Sequence, residues 1–303
     1  MNSAPSQVDA AVQGAIDVSG LSVRYSRRER VHTALDDVNL SIAPGEFVAL
    51  LGPSGCGKTT LLHAMAGIVA PSNGSVLVGG EPVKEPTAQT GIVFQQHSLF
   101  PWMTALENVA FGPRRLGRTD AAGIARRGLA SVGLGDFADA YPAQLSGGMR
   151  QRVGLARALA IDPPVLLMDE PFGALDAMTR EAMQELLLAI WGQRKNTVVF
   201  VTHDVEEAIF LSDRIVLMDT APSRVRAEFA VDLPRPRFFE TRQDPRFHEL
   251  RTTIGRLVRE KTEREPLPSN IEAGRASSPQ AAAEIPAPTR SRSSGWALFT
   301  RHG

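Results

Sequence analysis

The octapeptide Gly52–Thr59 constrains the fold of this chain more than any other segment. It reads Gly-Pro-Ser-Gly-Cys-Gly-Lys-Thr, follows the apolar run Phe47–Leu51 and precedes the helix-like segment Thr60–Ala66. A strand, a glycine-rich loop and a helix in this order form a phosphate-binding loop, in which backbone N–H groups converge on phosphate oxygens. The alternative is a glycine-rich turn that carries a surface lysine.

Residue types within this loop predict separate roles in binding a nucleotide. Lys58 is expected to reach the terminal phosphates, and the Thr59 hydroxyl to ligate Mg²⁺. Only four of the 33 basic residues are lysines, which favours a specific role for the lysine in the loop. The predicted nucleotide-binding residues here are Gly52, Pro53, Ser54, Gly55, Cys56, Gly57, Lys58, Thr59 and Thr60.

Two adjacent acids, Asp169 and Glu170, follow the apolar run Val165–Met168. A pair of carboxylates at the end of a buried strand is costly unless a cation or a water molecule needs them. Asp169 suits Mg²⁺, and Glu170 suits a general base that polarises an attacking water. The alternative is a solvated acidic turn.

A large insertion separates the loop from this acidic pair. Asp169 lies 111 residues beyond Lys58, whereas a plain βαβ unit takes about 30 residues. The inserted segment, about 97–162, has a largely helical pattern and contains a second glycine-rich motif, Leu145–Gln151. Ser146 can cap a helix there and point its N–H donors at an anion. One nucleotide cannot occupy two phosphate sites in separate parts of one chain, so the motif predicts a head-to-tail pair of chains with two shared sites.

Strand and helix patterns predict an α/β fold. Alternation in Leu21–Tyr25 and Val38–Ile42 indicates antiparallel strands, and the first helix is expected to end near Pro71–Gly74. After residue 162, strands and helices alternate, which predicts a mostly parallel sheet covered on both faces. The expected elements there are strand Val165–Met168, helix Thr179–Arg194, strand Thr197–Val201, helix Val205–Ser212 and strand Arg214–Met218.

Composition divides the chain into four segments. Residues 1–17 are expected to be a disordered leader, and residues 264–303 a disordered tail rich in Pro, Ala, Ser and Arg. Between them, 18–235 is expected to form the main domain. A C-terminal helical extension is expected at 236–263, with an amphipathic helix over 245–263.

Charge and hydropathy exclude several classes of function. The 33 basic and 33 acidic residues give a formal charge of zero, so no overall field draws the protein to nucleic acid or anionic lipid. The single cysteine, Cys56, excludes an intrachain disulfide. No secretory signal is expected at the start of the chain, and no apolar run approaches the roughly 18 residues that span a bilayer. Any membrane work is therefore expected to need a partner.

The complete set of motifs resembles the ATPase subunits of ABC transporters over about residues 18–235. The resemblance rests on Gly52–Thr59, Gln95, Leu145–Gln151, Val165–Glu170, Ala174–Asp176 and His203. It implies a P-loop NTPase (RecA-like) fold, with a mixed sheet core, an N-terminal antiparallel β-subdomain and an inserted helical subdomain. It also implies ATP and Mg²⁺ as ligands.

The resemblance assigns catalytic roles to three residues. Glu170 is expected to activate water, Gln95 to meet Mg²⁺ and that water, and His203 to contact the terminal phosphate. The expected ligands of the metal are thus Thr59, Gln95 and Asp169. Taken alone, His203 would instead be a cap of the following helix.

The resemblance also implies specific roles for four further residues. Tyr25 would stack on adenine, although by itself it could be an ordinary strand tyrosine. Ser146 and Gly148 would bind the γ-phosphate of ATP held by the opposite protomer. Asp176 would contact the partner across the dimer.

The segments Leu99–Thr104, Asp176–Arg180 and Leu186–Trp191 are similar to those of importers for taurine, aliphatic sulfonates and nitrate. This likeness implies a homodimer on the cytoplasmic side of the inner membrane, two integral membrane permease subunits and, indirectly, a periplasmic or surface solute-binding protein. No nucleic acid partner is expected. The alternative is a soluble ABC ATPase that acts on DNA or ribosomes, but such proteins usually carry coiled-coil insertions or paired cassettes.

Overall fold

Two sheets organise the computed structural model, which describes residues 14–27, 30–95, 98–220 and 223–262. The strands are β1 (Ile16–Arg27), β2 (Arg30–Ile42), β3 (Phe47–Leu51), β4 (Asn73–Val78), β5 (Glu81–Pro82), β6 (Thr90–Val93), β7 (Val165–Asp169), β8 (Thr197–Thr202), β9 (Arg214–Asp219) and β10 (Arg224–Ala230). The α-helices are α1 (Lys58–Met65), α2 (Ala105–Arg115), α3 (Ala121–Ser131), α4 (Gly147–Leu159), α5 (Ala177–Arg194), α6 (Val205–Leu211) and α7 (Pro245–Thr262).

The smaller sheet is antiparallel and has the order β2-β1-β4-β5. It confirms the antiparallel strands predicted from the alternation near the N-terminus. β1 begins at Ile16, whose side chain is fully buried, so residues 16 and 17 belong to a strand rather than to the expected leader. Residues 1–13 of that leader and the expected tail 264–303 lie outside the described residues.

The larger sheet has the order β10-β9-β3-β8-β7-β6. Its strands are parallel except β10, which runs antiparallel to β9 at the edge. β3, β7 and β8 are buried along their whole length, as expected for near-continuous apolar runs covered on both faces. The sequence interpretation placed no strand at β10, whose side chains alternate between exposed and half-buried.

Parallel register collects the ends of three strands at one edge of this sheet. Leu51 of β3 pairs with Thr202 of β8, and Asp169 of β7 pairs with Val201 of β8. The carboxyl edge of such a sheet is where ligands bind in α/β folds. The residues that directly follow the three strands are Gly52, Glu170 and His203.

The first helix is shorter than predicted, because it ends at Met65 and not near Pro71–Gly74. Gly67 adopts a left-handed conformation with φ of 73°. The N–H groups of Gly67 and Ile68 donate to the carbonyls of Ala64 and His63, at 3.1 and 2.9 Å. These two bonds form a Schellman cap, which satisfies the last carbonyls and stops the helix.

Three helices, α2, α3 and α4, lie between β6 and β7 and pack around fully buried apolar side chains, among them Val109, Leu129 and Val153. After β10, a 3₁₀ turn at Phe239–Gln243 leads into α7, which is the helix expected over 245–263. None of the described helices is long and apolar enough to cross a membrane.

Candidate nucleotide site

The loop between β3 and α1 leaves its helix start open. Gly57 has φ of 86°, which favours glycine, and no side chain accepts a hydrogen bond from the first amides of α1. A Cβ atom on Gly57 would lie 2.6 Å from the carbonyl oxygen of Ala34, and one on Gly52 would lie 2.7 Å from that of Met218. Close packing at both positions therefore requires glycine, while the first N–H groups of α1 have no side-chain cap that would compete with an anion.

Lys58 is a cation held inside this loop. Its side chain is almost completely buried, and its Nζ donates to the carbonyl oxygens of Gly52 at 2.7 Å and Pro53 at 2.9 Å. Both acceptors are neutral, so these contacts do not neutralise the ammonium charge. The Cys56 thiol lies 3.7 Å from the same Nζ, and burial raises its pKa. The loop is thus a concave, positively charged cradle with the chemistry that a phosphate requires.

Thr59 in α1 and Asp169 at the end of β7 bring two side-chain oxygens close together. The Thr59 hydroxyl donates to Oδ1 of Asp169 at 2.9 Å. Burial raises the pKa of Asp169 above its usual range, and the hydrogen bond from Thr59 acts in the opposite direction. A hydroxyl and a carboxylate on adjacent elements fit a hard divalent cation such as Mg²⁺.

Glu170 connects two residues that are distant in sequence. Its Oε2 accepts a hydrogen bond from Nε2 of Gln95 at 3.3 Å and lies 3.4 Å from Nδ1 of His203. The backbone of Glu170 has φ of 40°, a conformation that non-glycine residues adopt only at a cost. The three predicted catalytic side chains therefore meet at one point.

A cavity of about 400 Å³ opens beside this cluster. It is lined by Tyr25, His32, Ala34, Ser54, Gly55, Gly57, Lys58, Thr59, Thr60, Gln95 and Glu170. Most of these are predicted site residues, whereas Gly52, Pro53 and Cys56 are part of the loop but do not line the cavity. The sequence analysis did not predict His32 as a site residue. It lines the cavity because it pairs with Tyr25 across β1 and β2, and this pairing depends on strand register.

His203 does not cap α6, so the alternative role considered for it is wrong. The carboxylate of Asp204 is the cap, because it accepts hydrogen bonds from the N–H groups of Glu206 at 2.8 Å and Glu207 at 3.1 Å. The imidazole of His203 is largely exposed and faces Glu170 instead.

The second glycine-rich motif is not part of the cavity. Ser146 caps α4 by accepting a hydrogen bond from the N–H of Met149 at 3.3 Å. A Cβ atom on Gly148 would lie 2.7 Å from Cγ2 of Thr179, so packing against α5 already requires a small residue at this position. Neither Ser146 nor Gly148 lines the space beside Lys58.

Asp176 has a local role at the start of α5. It is exposed, and its carboxylate accepts a hydrogen bond from the N–H of Thr179 at 3.0 Å. This bond lowers the pKa of Asp176. The carboxylate is therefore a helix cap, whatever else it contacts.

The chain is similar in sequence to known proteins over most of the residues that form this site. A sequence model of the ABC transporter family matches residues 35–173. The taurine import ATP-binding protein TauB of Chromobacterium violaceum is 53% identical over 213 residues, which cover 70% of this chain and 81% of that protein. The chain belongs to the ABC transporter family and is one of its ATP-binding subunits.

Other relatives of this ABC subunit agree in sequence and fold. The bicarbonate transport ATP-binding protein CmpD of a Synechocystis species is 44% identical over 249 residues, which cover 80% of this chain and 88% of that protein. A dimeric ATP-binding cassette in a post-hydrolysis state, bound to ADP and Pi, has a TM-score of 0.64 and 34% identity, and the match covers 71% of this chain and 98% of that one. The predicted P-loop NTPase fold is confirmed, and the activity of this ABC subunit is ATP hydrolysis coupled to transport.

Proposed function

We propose that this ABC subunit powers the import of a small anion, such as taurine, an aliphatic sulfonate or nitrate, through separate permease subunits. The observation that supports the hydrolytic part of this proposal is the carboxylate of Glu170, which lies between Gln95 and His203 and lines the Lys58 cavity. The names of relatives support the choice of solute, since one imports taurine and another transports bicarbonate.

The residues of the cavity, together with Asp169 beside Thr59, have separate roles in binding ATP. The open amides of the loop and the Nζ of Lys58 would hold the phosphates, and Tyr25 would stack on the adenine ring. Thr59, Gln95 and Asp169 would hold Mg²⁺, which neutralises charge on the phosphate oxygens when it is bound.

Hydrolysis then depends on side chains that are already in place. Glu170 accepts the proton of the attacking water, and the amide of Gln95 orients the Glu170 carboxylate and the water. His203, on the other side of Glu170, contacts the terminal phosphate. Since these groups meet at the ends of rigid strands, little rearrangement is needed to align them.

A second copy of the chain would complete each site. Ser146 and Gly148 start a helix away from the chain's own cavity, so they are available to the nucleotide of an opposite protomer. An isologous pair with Asp176 in the contact would close two sites at once. The dimeric cassette of similar fold supports this assembly.

An aromatic cluster after Gln95 is the proposed docking surface for the permease. Phe100 packs against Phe111 and Trp102, with ring centroids 4.9 and 5.6 Å apart, and the Trp102 side chain is 69% exposed. An exposed apolar cluster of this kind suits a helix of a membrane partner. In this proposal the subunit lies on the cytoplasmic side of the inner membrane and works with two permeases and, indirectly, a solute-binding protein.

The Glu170→Gln variant tests the hydrolytic proposal. We expect it to bind ATP with unchanged affinity, to hydrolyse it on the order of 100-fold or more slowly, and to accumulate as a dimer. ATP titration, phosphate release and light scattering measure these properties. Glu185→Gln, an exposed carboxylate on α5, is the matched control. Turnover at the wild-type rate in Glu170→Gln would refute the assignment.

Transport requires its own test. We expect the protein to copurify with a polytopic membrane protein, and ATP hydrolysis by the reconstituted complex to be stimulated by one of taurine, a sulfonate, nitrate or bicarbonate. Stimulation by DNA or ribosomes, with no membrane partner, would favour the soluble ABC ATPase instead.

A further inference from the structure

A chain of polar side chains, half-buried at Arg242 and buried from there on, links the C-terminal segment (the 3₁₀ turn Phe239–Gln243 and α7) to the loop that carries His203. It begins at Arg242 in the 3₁₀ turn and passes through Gln184 of α5 and Glu207 of α6. It ends at Thr202, the last residue of β8. None of these contacts was foreseen from the sequence, and the roles proposed above for ATP and Mg²⁺ use none of them.

The hydrogen bonds of this chain have a fixed direction. Nη2 of Arg242 donates to Oε1 of Gln184 at 2.6 Å, and Nε2 of Gln184 donates to Oε1 of Glu207 at 3.0 Å. An amide is needed at the middle position, because it accepts from a cation at one end and donates to a carboxylate at the other. Gln184 is 2% exposed, so losing either partner would leave a buried polar group unsatisfied.

At its far end the chain holds both neighbours of His203. The hydroxyl of Thr202 donates to Oε2 of Glu207 and accepts a hydrogen bond from the N–H of Asp204 at 3.1 Å. A small cavity of about 40 Å³ is lined by Glu207 together with His203 and Glu170. The buried carboxylate therefore fixes the backbone on either side of the imidazole.

We propose that Arg242, Gln184 and Glu207 are positioning residues for hydrolysis, which hold His203 at its distance from Glu170. This inference rests on the proposed roles of those two side chains. The guanidinium of Arg242 also stacks over the ring of Phe210 on α6, 4.4 Å from the ring centroid. Through these two contacts the C-terminal segment helps to position the catalytic residues.

The test compares Arg242→Met and Gln184→Met with a matched control in the full-length protein. Arg251→Met removes an ion pair between the same C-terminal segment and α6, since Arg251 contacts Glu206 at 2.9 Å, but this pair is exposed and does not reach Thr202. We expect kcat for ATP hydrolysis to fall about tenfold in the two test variants, because a misplaced His203 no longer aligns with the reaction. KM for ATP and ATP binding should stay within about twofold, and the control should match the wild type.

Two further measurements separate positioning from general support of the fold. When Arg242→Met or Gln184→Met is combined with His203→Ala, the single-turnover rate of ATP hydrolysis should be no lower than in His203→Ala alone. Arg242→Lys, which keeps a donor, should recover most of the rate. If Gln184→Met does not fold, as judged by thermal melting, Arg242→Met decides by the same criteria.

Equal rates of ATP hydrolysis in Arg242→Met and Arg251→Met would overturn the inference. So would a fall in rate of about tenfold when the test substitutions are added to His203→Ala, as large as the fall they cause in the wild type. Failure of the proposed function gives a different result, namely wild-type hydrolysis by Glu170→Gln. If Glu170→Gln is inactive while Arg242→Met is fully active, only the positioning role is wrong.

Discussion

The two glycine-rich helix starts of this chain differ in how their first amides are satisfied. At Gly57, no side chain caps α1, and the first residues of the helix line the cavity beside Lys58. At Ser146, the side chain accepts a hydrogen bond from the N–H of Met149, which stabilises α4 without any ligand. The same local pattern therefore produces an uncapped helix start in one place and a side-chain-capped helix start in the other.

Packing around the glycines differs in the same way. Gly57 has no room for a side chain, because Ala34 lies against it, whereas a Cβ atom on Gly147 would meet nothing within 4 Å. The glycine directly before α1 is thus packed against its own chain, whereas the first residue of α4 presents an open position. This contrast is what the proposed composite site requires, since an open helix start can meet a nucleotide held by another chain.

Replacing Gly57 by alanine should have the largest effect. We expect the free energy of unfolding to fall by roughly 3 kcal/mol, because the residue would keep an unfavourable positive φ and its Cβ would clash with the backbone of Ala34. Denaturant unfolding measures the change. Gly55→Ala is the control for the clash, since Gly55 also has positive φ but has nothing within 4 Å of its Cβ position. An equal loss in both variants would show that conformation alone matters.

The next largest effect is expected for Lys58→Ala, which removes the charge from the cradle. ATP affinity should fall on the order of 100-fold, as expected for loss of a charged hydrogen bond in a buried site. Titration with ATP measures it, and circular dichroism checks the fold. Lys84→Ala removes an exposed lysine and should bind ATP normally. Unchanged affinity in Lys58→Ala would contradict the site.

Ser146→Ala should weaken the second helix start by about 1 kcal/mol of unfolding free energy, the usual value of an N-cap. ATP affinity of the dilute, monomeric chain should not change, because Ser146 does not line the cavity of its own chain. Ser146→Asn keeps a capping oxygen and should retain stability. Weaker ATP binding by dilute, monomeric Ser146→Ala would show that the motif acts within its own chain.

The smallest effect on folding is expected for Gly147→Ala. With open space around the Cβ position and a helical backbone, we expect no loss of stability and a gain of up to about 0.5 kcal/mol. Thermal melting compares it with Gly57→Ala. If Gly147→Ala also slows ATP hydrolysis while the fold is intact, the open position faces a partner. Destabilisation comparable to that of Gly57→Ala would abolish the distinction between the two helix starts.

The sequence by itself determined the elements whose cause is local. The loop at Gly52–Thr59 was readable because strand, glycines, lysine and helix are contiguous, and β7 and β8 were readable because buried parallel strands are continuous apolar runs. The alternation of β10 gave less signal, because that edge strand lacks fully buried positions. The predicted end of α1 near Pro71 was wrong, because the cap formed at Gly67 ends the helix before that proline is reached.

Only the tertiary structure decided which distant residues meet. Glu170 contacts Gln95 across 75 positions of sequence, and Arg242 reaches Gln184 across 58, because the parallel register of the sheet and the packing of the C-terminal segment bring them together. His32 joins the cavity through strand pairing alone. Motifs specify chemistry that is local to a few residues, whereas the position of one such group against another depends on long-range packing, which no local pattern encodes.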